Sequence, residues 1–227
     1  MYLNDNPTDL IEGHSYPPHR YYSNFIKQEY YDLLLEFFPP DELFKDEEPE
    51  TRKNGQRPHW RRFMCIGDLT GSEVLRSYLI ELNQLPLIWR NFARYMLEGD
   101  EYKKFICDTL KIKNCSLRLD FHRTCQGRDA SPHLDSLGKY GSQLFYFLPK
   151  RWKEYYGGNT ILYTGLKKDI MNPEPKNFEH KKVFENRGNS SFLFKNTREA
   201  WHGVNLVRCP KGMHRQILNV VVLKCAE

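Results

Sequence analysis

Apolar positions in the first half of the chain recur at helical spacing, whereas those in the second half fall in short alternating or continuous runs. Over 23–38, Ile26, Tyr30, Leu33, Leu34 and Phe37 fall on one helical face, with Ser23 placed as a cap and Pro39-Pro40 as a stop. The segment 41–62 is charged and carries Pro49, Pro58 and Asn54-Gly55, which predicts a long loop acting as a connector or a lid. A second amphipathic helix is predicted over 72–82. A third opens at Pro86 and runs to about Leu97 through Ile88, Phe92, Ala93 and Met96, and a short fourth spans 101–110. From Ser116 the texture changes to β-rich runs near 116–122, 131–137, 142–148, 159–163, 190–195 and 215–223, punctuated by glycine, proline and asparagine. Helices first and strands afterwards predict an α+β protein with helices packed on one sheet of a β-barrel or sandwich.

With 227 residues, 40% hydrophobic and 14% aromatic, the chain can bury one substantial core. The expected organisation is one integrated domain, with 1–115 an N-terminal helical elaboration and 116–227 the β-rich core. The formal charge of +5 suits an anionic cosubstrate but does not point to a nucleic-acid partner. No run approaches the roughly 18 apolar residues needed to cross a bilayer, and the polar start Met1-Tyr-Leu-Asn-Asp-Asn-Pro7 lacks a basic-then-apolar leader pattern. A soluble, cytoplasmic protein without a membrane partner is therefore expected. The six cysteines form no C-x-x-C pair, so neither a zinc site nor a disulfide framework is suggested, and reduced, mostly buried thiols are expected.

Candidate chemistry concentrates in Ser131-Pro-His-Leu-Asp-Ser136. In an extended strand His133 and Asp135 share a face, with Leu134 opposite, and one imidazole and one carboxylate can grip a single metal ion. His202, in Glu199-Ala-Trp-His-Gly-Val204, is the best third ligand, with His122 and His214 as competitors. His14, His19, His59 and His180 lie in polar or proline-rich surroundings and read as solvated. Two histidines and one carboxylate form the facial triad that leaves open positions on Fe(II) for a cosubstrate and O2. Arg215 opens the apolar run Arg215-Gln-Ile-Leu-Asn-Val-Val-Val-Leu223, where a cation must find a partner or bear a large desolvation cost. It can clamp a carboxylate in a bidentate fork.

These residues, followed in order by Gln143-Leu-Phe-Tyr-Phe-Leu-Pro149, Trp152 and Gly157-Gly-Asn-Thr-Ile-Leu162, resemble the Fe(II)/2-oxoglutarate-dependent oxygenases, especially their prolyl-hydroxylase-like branch. The resemblance covers roughly 116–223, about half the chain. It implies a double-stranded β-helix, or jelly roll, with Fe(II), 2-oxoglutarate and O2 as cofactor and cosubstrates. His133, Asp135 and His202 would be the metal ligands and catalytic centre, and Arg215 the partner of the distal 2-oxoglutarate carboxylate. The sequence departs from the branch at two places: Phe147 stands where a tyrosine is common, and Asn219 where a threonine is common. Asn219 can still donate a hydrogen bond, and Tyr146 and Tyr163 are candidate replacements for the missing hydroxyl. The carboxylate at Asp135 favours hydroxylation over halogenation, because the related halogenases carry a small residue there. Arg118, Asp120, Arg123, Arg128 and Asp129 would lie beside the substrate mouth, with Arg118 and Arg123 as substrate contacts. Trp152 reads as turn packing, and Gly157-Gly158 as backbone geometry. A small metabolite, free or carrier-bound, is the expected substrate. The alternatives are hydroxylation of a protein and a non-catalytic jelly roll that binds metal or 2-oxoglutarate.

Overall fold

The computed structural model describes residues 2–11, 16–47, 60–70 and 73–225. Its strands are β1 (Thr8–Asp9), β2 (His19–Ser23), β3 (Lys45–Glu47), β4 (Arg61–Gly67), β5 (Ser116–Thr124), β6 (Ala130–His133), β7 (Lys139–Tyr146), β8 (Thr160–Leu166), β9 (Phe178–Phe184), β10 (Ser190–Lys195), β11 (Trp201–Val204) and β12 (Arg215–Leu223). Its helices are α1 (Gln28–Glu36), α2 (Leu87–Glu98) and α3 (Asp100–Leu110). Eight strands form one antiparallel sheet in the order β1-β2-β10-β7-β12-β5-β4-β3, and four form another in the order β6-β11-β8-β9. The two sheets pack face to face: Tyr146, Phe192 and Ile217 of the large sheet share a cluster with Leu162 and Phe184 of the small one. An α+β protein with helices on one sheet was expected, and that is the architecture.

Strand parity divides the large sheet. On β12, Leu218, Val220 and Val222 point to the helices, while Ile217 points between the sheets. On β5, Leu117, Leu119 and Phe121 take the helix side. There α2 supplies Trp89, Phe92, Ala93 and Met96, and α3 supplies Tyr102, Ile106 and Leu110, all buried. The Trp89 indole donates to the Leu34 carbonyl at 2.8 Å, tying α2 to α1.

Several expectations need correction. Helix α1 begins at Gln28 rather than after Ser23, because residues 19–23 pair with β10 as a strand and Ser23 ends it. Leu33 and Phe37, counted on the buried face, are exposed. The predicted helix over 72–82 is two short 3-10 turns, Glu73–Tyr78 and Leu82–Gln84. Only Leu75 is buried in the first turn, so a continuous helix has little to bury, and the Ile80 amide bonds back to the Cys65 carbonyl. The segment 41–62 is not all loop: Lys45–Glu47 and Arg61–Gly67 pair as β3 and β4, while 48–59, the part a lid would need, lies outside the described residues. Strand β9 also escaped prediction, because the five residues between its ends are exposed and polar apart from Val183. His19 is buried rather than solvated, its Nδ1 donating to the Pro17 carbonyl at 2.7 Å and its ring against Phe184. His180 is exposed as expected, and His14 and His59 lie outside the described residues.

All six cysteines are free, and three of them, Cys65, Cys115 and Cys209, are buried. Among the described residues no helix is long and apolar enough to cross a membrane.

Candidate metal centre and anion pocket

His133 ends β6 and His202 lies on β11, where the two are direct register partners. Gly203 permits this approach: a Cβ there would meet the Ala130 carbonyl oxygen at 2.6 Å. The imidazole centroids are 4.3 Å apart. Nδ1 of His133 lies 2.9 Å from the Ser131 carbonyl oxygen, and Nδ1 of His202 lies 2.9 Å from that of Ala200. A carbonyl oxygen only accepts, so each Nδ1 carries the proton and each Nε2 presents its lone pair as a ligand.

Asp135 reaches the same place by a different route. Strand β6 stops at His133, so Asp135 sits in the turn beyond it, and alternation along one strand does not bring it in. Instead Lys139 Nζ donates to its Oδ1 at 2.7 Å and Ser142 Oγ donates to its Oδ2 at 3.4 Å. Burial alone would raise the pKa of this carboxyl, but Lys139, His202 and His133 outweigh it and hold the group below the usual carboxylate range. The pKa of His202 is lowered by burial, with Asp135 partly offsetting the effect. One ligand atom from each of His133, Asp135 and His202 lies within 4.8 Å of the others, and among the described residues no other such cluster exists. His122 lines the cavity but stacks on Phe63, and neither it nor His214 joins the cluster.

The cluster opens into a cavity of about 170 Å³ between the sheets. Arg215, 2% exposed, lies in its wall with its guanidinium carbon 5.4 Å from the centre of the Tyr146 ring. Its Nε and Nη2 have no hydrogen-bond partner, and burial lowers its pKa with only Tyr146 opposing the shift. A buried guanidinium with two donors unanswered by the protein has the chemistry to receive an anion. Gly158 makes room for it, since a Cβ there would lie 2.7 Å from Arg215 Cδ in a backbone at φ +75°. Gly158 therefore serves the arginine as well as the turn.

Parity on β7 separates the candidate hydroxyl donors. Tyr146 lies in the layer between the sheets, its hydroxyl 2.7 Å from Thr160 Oγ1, while Phe147 faces the helices and stacks on Tyr31. Tyr163 clusters with Phe178 and Trp201 on the opposite face of the small sheet from Leu162, so it does not reach the cavity. Asn219 lines the cavity, with Oδ1 buried and unpartnered.

Arg118 and Arg123 both line the cavity, but on different terms. Arg118 is bound bidentately by Asp120, at 2.7 and 3.0 Å. Arg123 is held by Asp41 and the Pro39 carbonyl and lies against the Phe38 and Phe44 rings, so its guanidinium is already engaged. Asp129 also lines the cavity, and Arg128 stacks on Trp60. Trp152 packs against Tyr156, Val207 and Cys209, as a turn residue would. Sequence reasoning missed Lys139 and Thr160; the i, i+4 spacing of Asp135 and Lys139 was the available signal for the first.

No protein-family model matches the sequence, and no curated protein matches it by sequence. Solved structures do match by fold. A Pseudomonas putida prolyl-4-hydroxylase aligns at TM-score 0.59 and 14% identity over 91% of this chain and 92% of its own. An oxidoreductase of the 2OG-Fe(II) oxygenase family from Burkholderia pseudomallei aligns at 0.54 and 14%, over 88% and 81%. A prolyl hydroxylase from Trichoplax adhaerens, in complex with a hypoxia inducible factor oxygen degradation domain peptide fragment, aligns at 0.50 and 12%, over 90% and 83%. At these identities the likeness is one of fold: the chain has the fold of 2-oxoglutarate–Fe(II) oxygenase and prolyl hydroxylase structures.

Proposed function

We propose that this protein is an Fe(II)- and 2-oxoglutarate-dependent dioxygenase that hydroxylates a C–H bond. The observation that carries the reading is one cavity holding both a His-Asp-His cluster and a buried arginine with two unanswered donors. The donor set fits the metal, because two neutral imidazoles and one ionised carboxylate suit Fe(II) and leave positions open. Arg215 fits a dicarboxylic cosubstrate, since a distal carboxylate would answer Nε and Nη2. When bound, the iron would allow O2 to act as the oxidant, with one oxygen atom passing to succinate as 2-oxoglutarate loses carbon dioxide and the other to the substrate C–H bond.

The chain's own residues then have assigned tasks. The Ser131 and Ala200 carbonyls fix the ligating tautomers, and Lys139 keeps Asp135 ionised and oriented. Tyr146 and Thr160 close the Arg215 end, and Phe194 and Ile217 give the cavity apolar wall that excludes water. A small metabolite is the favoured substrate because the cavity is small, about 170 Å³. The prolyl hydroxylases among the fold neighbours support a second reading, hydroxylation of a protein. The test is calorimetric titration of 2-oxoglutarate into protein loaded with Mn(II), followed by assay for succinate with Fe(II) and O2. Binding that requires both the metal and Arg215 is expected; metal-independent or Arg215-independent binding overturns the assignment.

A further inference from the structure

Arg118 is the second buried guanidinium of the cavity, 2% exposed like Arg215. Its Nε and Nη2 are taken by Asp120, but Nη1, equally buried, has no acceptor. Leaving a buried charged donor unanswered costs more than leaving a neutral one, so the position calls for a ligand atom. Burial disfavours the Arg118 charge, but Asp120 and, more weakly, Asp135 restore it and keep its pKa above the ordinary value.

The two arginines stand on well-separated rungs of one ladder. On the β5–β12 ladder Arg118 faces Val221 and Arg215 faces Thr124, six residues along β12 and so about 20 Å apart in backbone. Val221 also pairs with Ser142, whose hydroxyl touches Asp135. Arg118 therefore occupies the rung at which the metal-ligand carboxylate stands, and Arg215 the far end.

Resting on the reading above, we propose that Arg118 Nη1 forms a second anion subsite, and that the substrate is a small acid which places its carboxylate there. Asp120 holds the guanidinium fork in one orientation at the cavity wall, so the remaining N–H can meet an acceptor without further ordering of the side chain. Asn219, opposite Asp120 on the neighbouring strand, offers its buried Oδ1 to a hydroxyl or amino group on the same substrate.

The probe is butyrate, with butyramide as its uncharged match, added to protein carrying Mn(II) and saturating 2-oxoglutarate. The readout is Mn(II)-induced broadening of the probe's proton lines, which needs no turnover. Butyrate is expected to broaden, with apparent affinity falling at least about tenfold in Arg118→Gln and partly restored in Arg118→Lys, as a charge-assisted bond predicts. Because Arg118→Gln strands Asp120, the double variant Arg118→Gln/Asp120→Asn repeats the measurement without a lone buried charge. Equal broadening by butyramide points to a neutral carbonyl such as a polypeptide presents, and overturns the proposal. So does butyrate broadening that is absent in the wild type or unchanged in the double variant. Titration of 2-oxoglutarate into the wild type judges the underlying reading separately, since its failure leaves the butyrate result with Mn(II) alone still interpretable.

Discussion

The two faces of the central strands β5, β12 and β7 are made of the same backbone and separated only by parity, yet they solve opposite problems. Toward the helices, Leu119, Phe121, Phe147, Leu218 and Val220 join Trp89 and Phe92 in one apolar, aromatic-rich cluster, with Arg123 against the Phe38 and Phe44 rings. Toward the small sheet, Arg118, Asp120, Ser142, Arg215 and Asn219 line a cavity in which several donors and acceptors have no partner. The first face stabilises by area removed from water. The second carries buried polar groups that no other group among the described residues answers, a cost offset by the packing of the first face. A residue's role therefore follows from whether its position is odd or even on the strand.

The largest expected break falls on the cavity face. His202→Ala, His133→Ala or Asp135→Ala should abolish metal-dependent succinate formation, because the cluster has no spare protein ligand among the described residues. Chelation of the metal should do the same to the wild type. Circular dichroism and thermal melting should show the fold retained; full activity in His202→Ala would exclude the proposed triad.

On the helix face, Trp89→Ala should cost about 3–5 kcal/mol of stability, as large-to-small aromatic substitutions in cores do. Trp89 is fully buried, with its ring 4.9 Å from Phe147 and 5.1 Å from Phe121. Denaturant unfolding measures the loss. At a temperature where the variant remains folded, its affinity for 2-oxoglutarate should stay within about twofold of the wild type, which would show that the two faces are energetically separable.

Arg215→Ala should raise the 2-oxoglutarate requirement at least about tenfold while leaving Mn(II) affinity nearly unchanged, since a charge-assisted bond is worth about 1.5–3 kcal/mol. Gly158→Ala should reproduce part of the same defect, because the added methyl would strike Arg215 Cδ. An effect of Gly158→Ala on stability alone, with cosubstrate affinity intact, would detach the glycine from the site.

Parity also explains how much the sequence could reveal. The run 215–223 is so nearly continuously apolar after Gln216 that its strand, and the need of Arg215 for an anionic partner, are legible from residue types alone, and the helix at Pro86 is equally plain. The H-x-D pair was legible for a partly different reason than the true one, because Asp135 lies past the end of β6 and is held by Lys139 rather than by strand alternation. Strand β4 and the loss of the 72–82 helix were not legible: a strand's partners are remote in sequence, and the bond from Ile80 to Cys65 is a tertiary fact that local periodicity does not encode. Nor could residue types tell that Arg123 is consumed by Asp41, 82 positions away.

The smallest expected effect compares the faces directly through two tyrosines. Tyr31 belongs to the helix side, stacked on Phe147, and Tyr146 to the cavity side beneath Arg215. Burial pushes both phenols up to about 12; Arg215 and Thr160 oppose the shift at Tyr146, and backbone hydrogen bonds oppose it at Tyr31. In the unfolded chain each releases its proton near 10, while the folded chain retains it, so between about 10 and 12 the native state binds more protons. Stability is therefore full below pH 10 and is lost as pH rises through that window, by up to about 1.4 kcal/mol per pH unit for each group. Urea unfolding at a series of alkaline pH values should show Tyr31→Phe and Tyr146→Phe each reducing that slope. If 2-oxoglutarate and metal shift the wild-type slope contribution of Tyr146 to higher pH but not that of Tyr31, the cavity-side phenol lies against the bound anion; equal responses would mean that both report only the core.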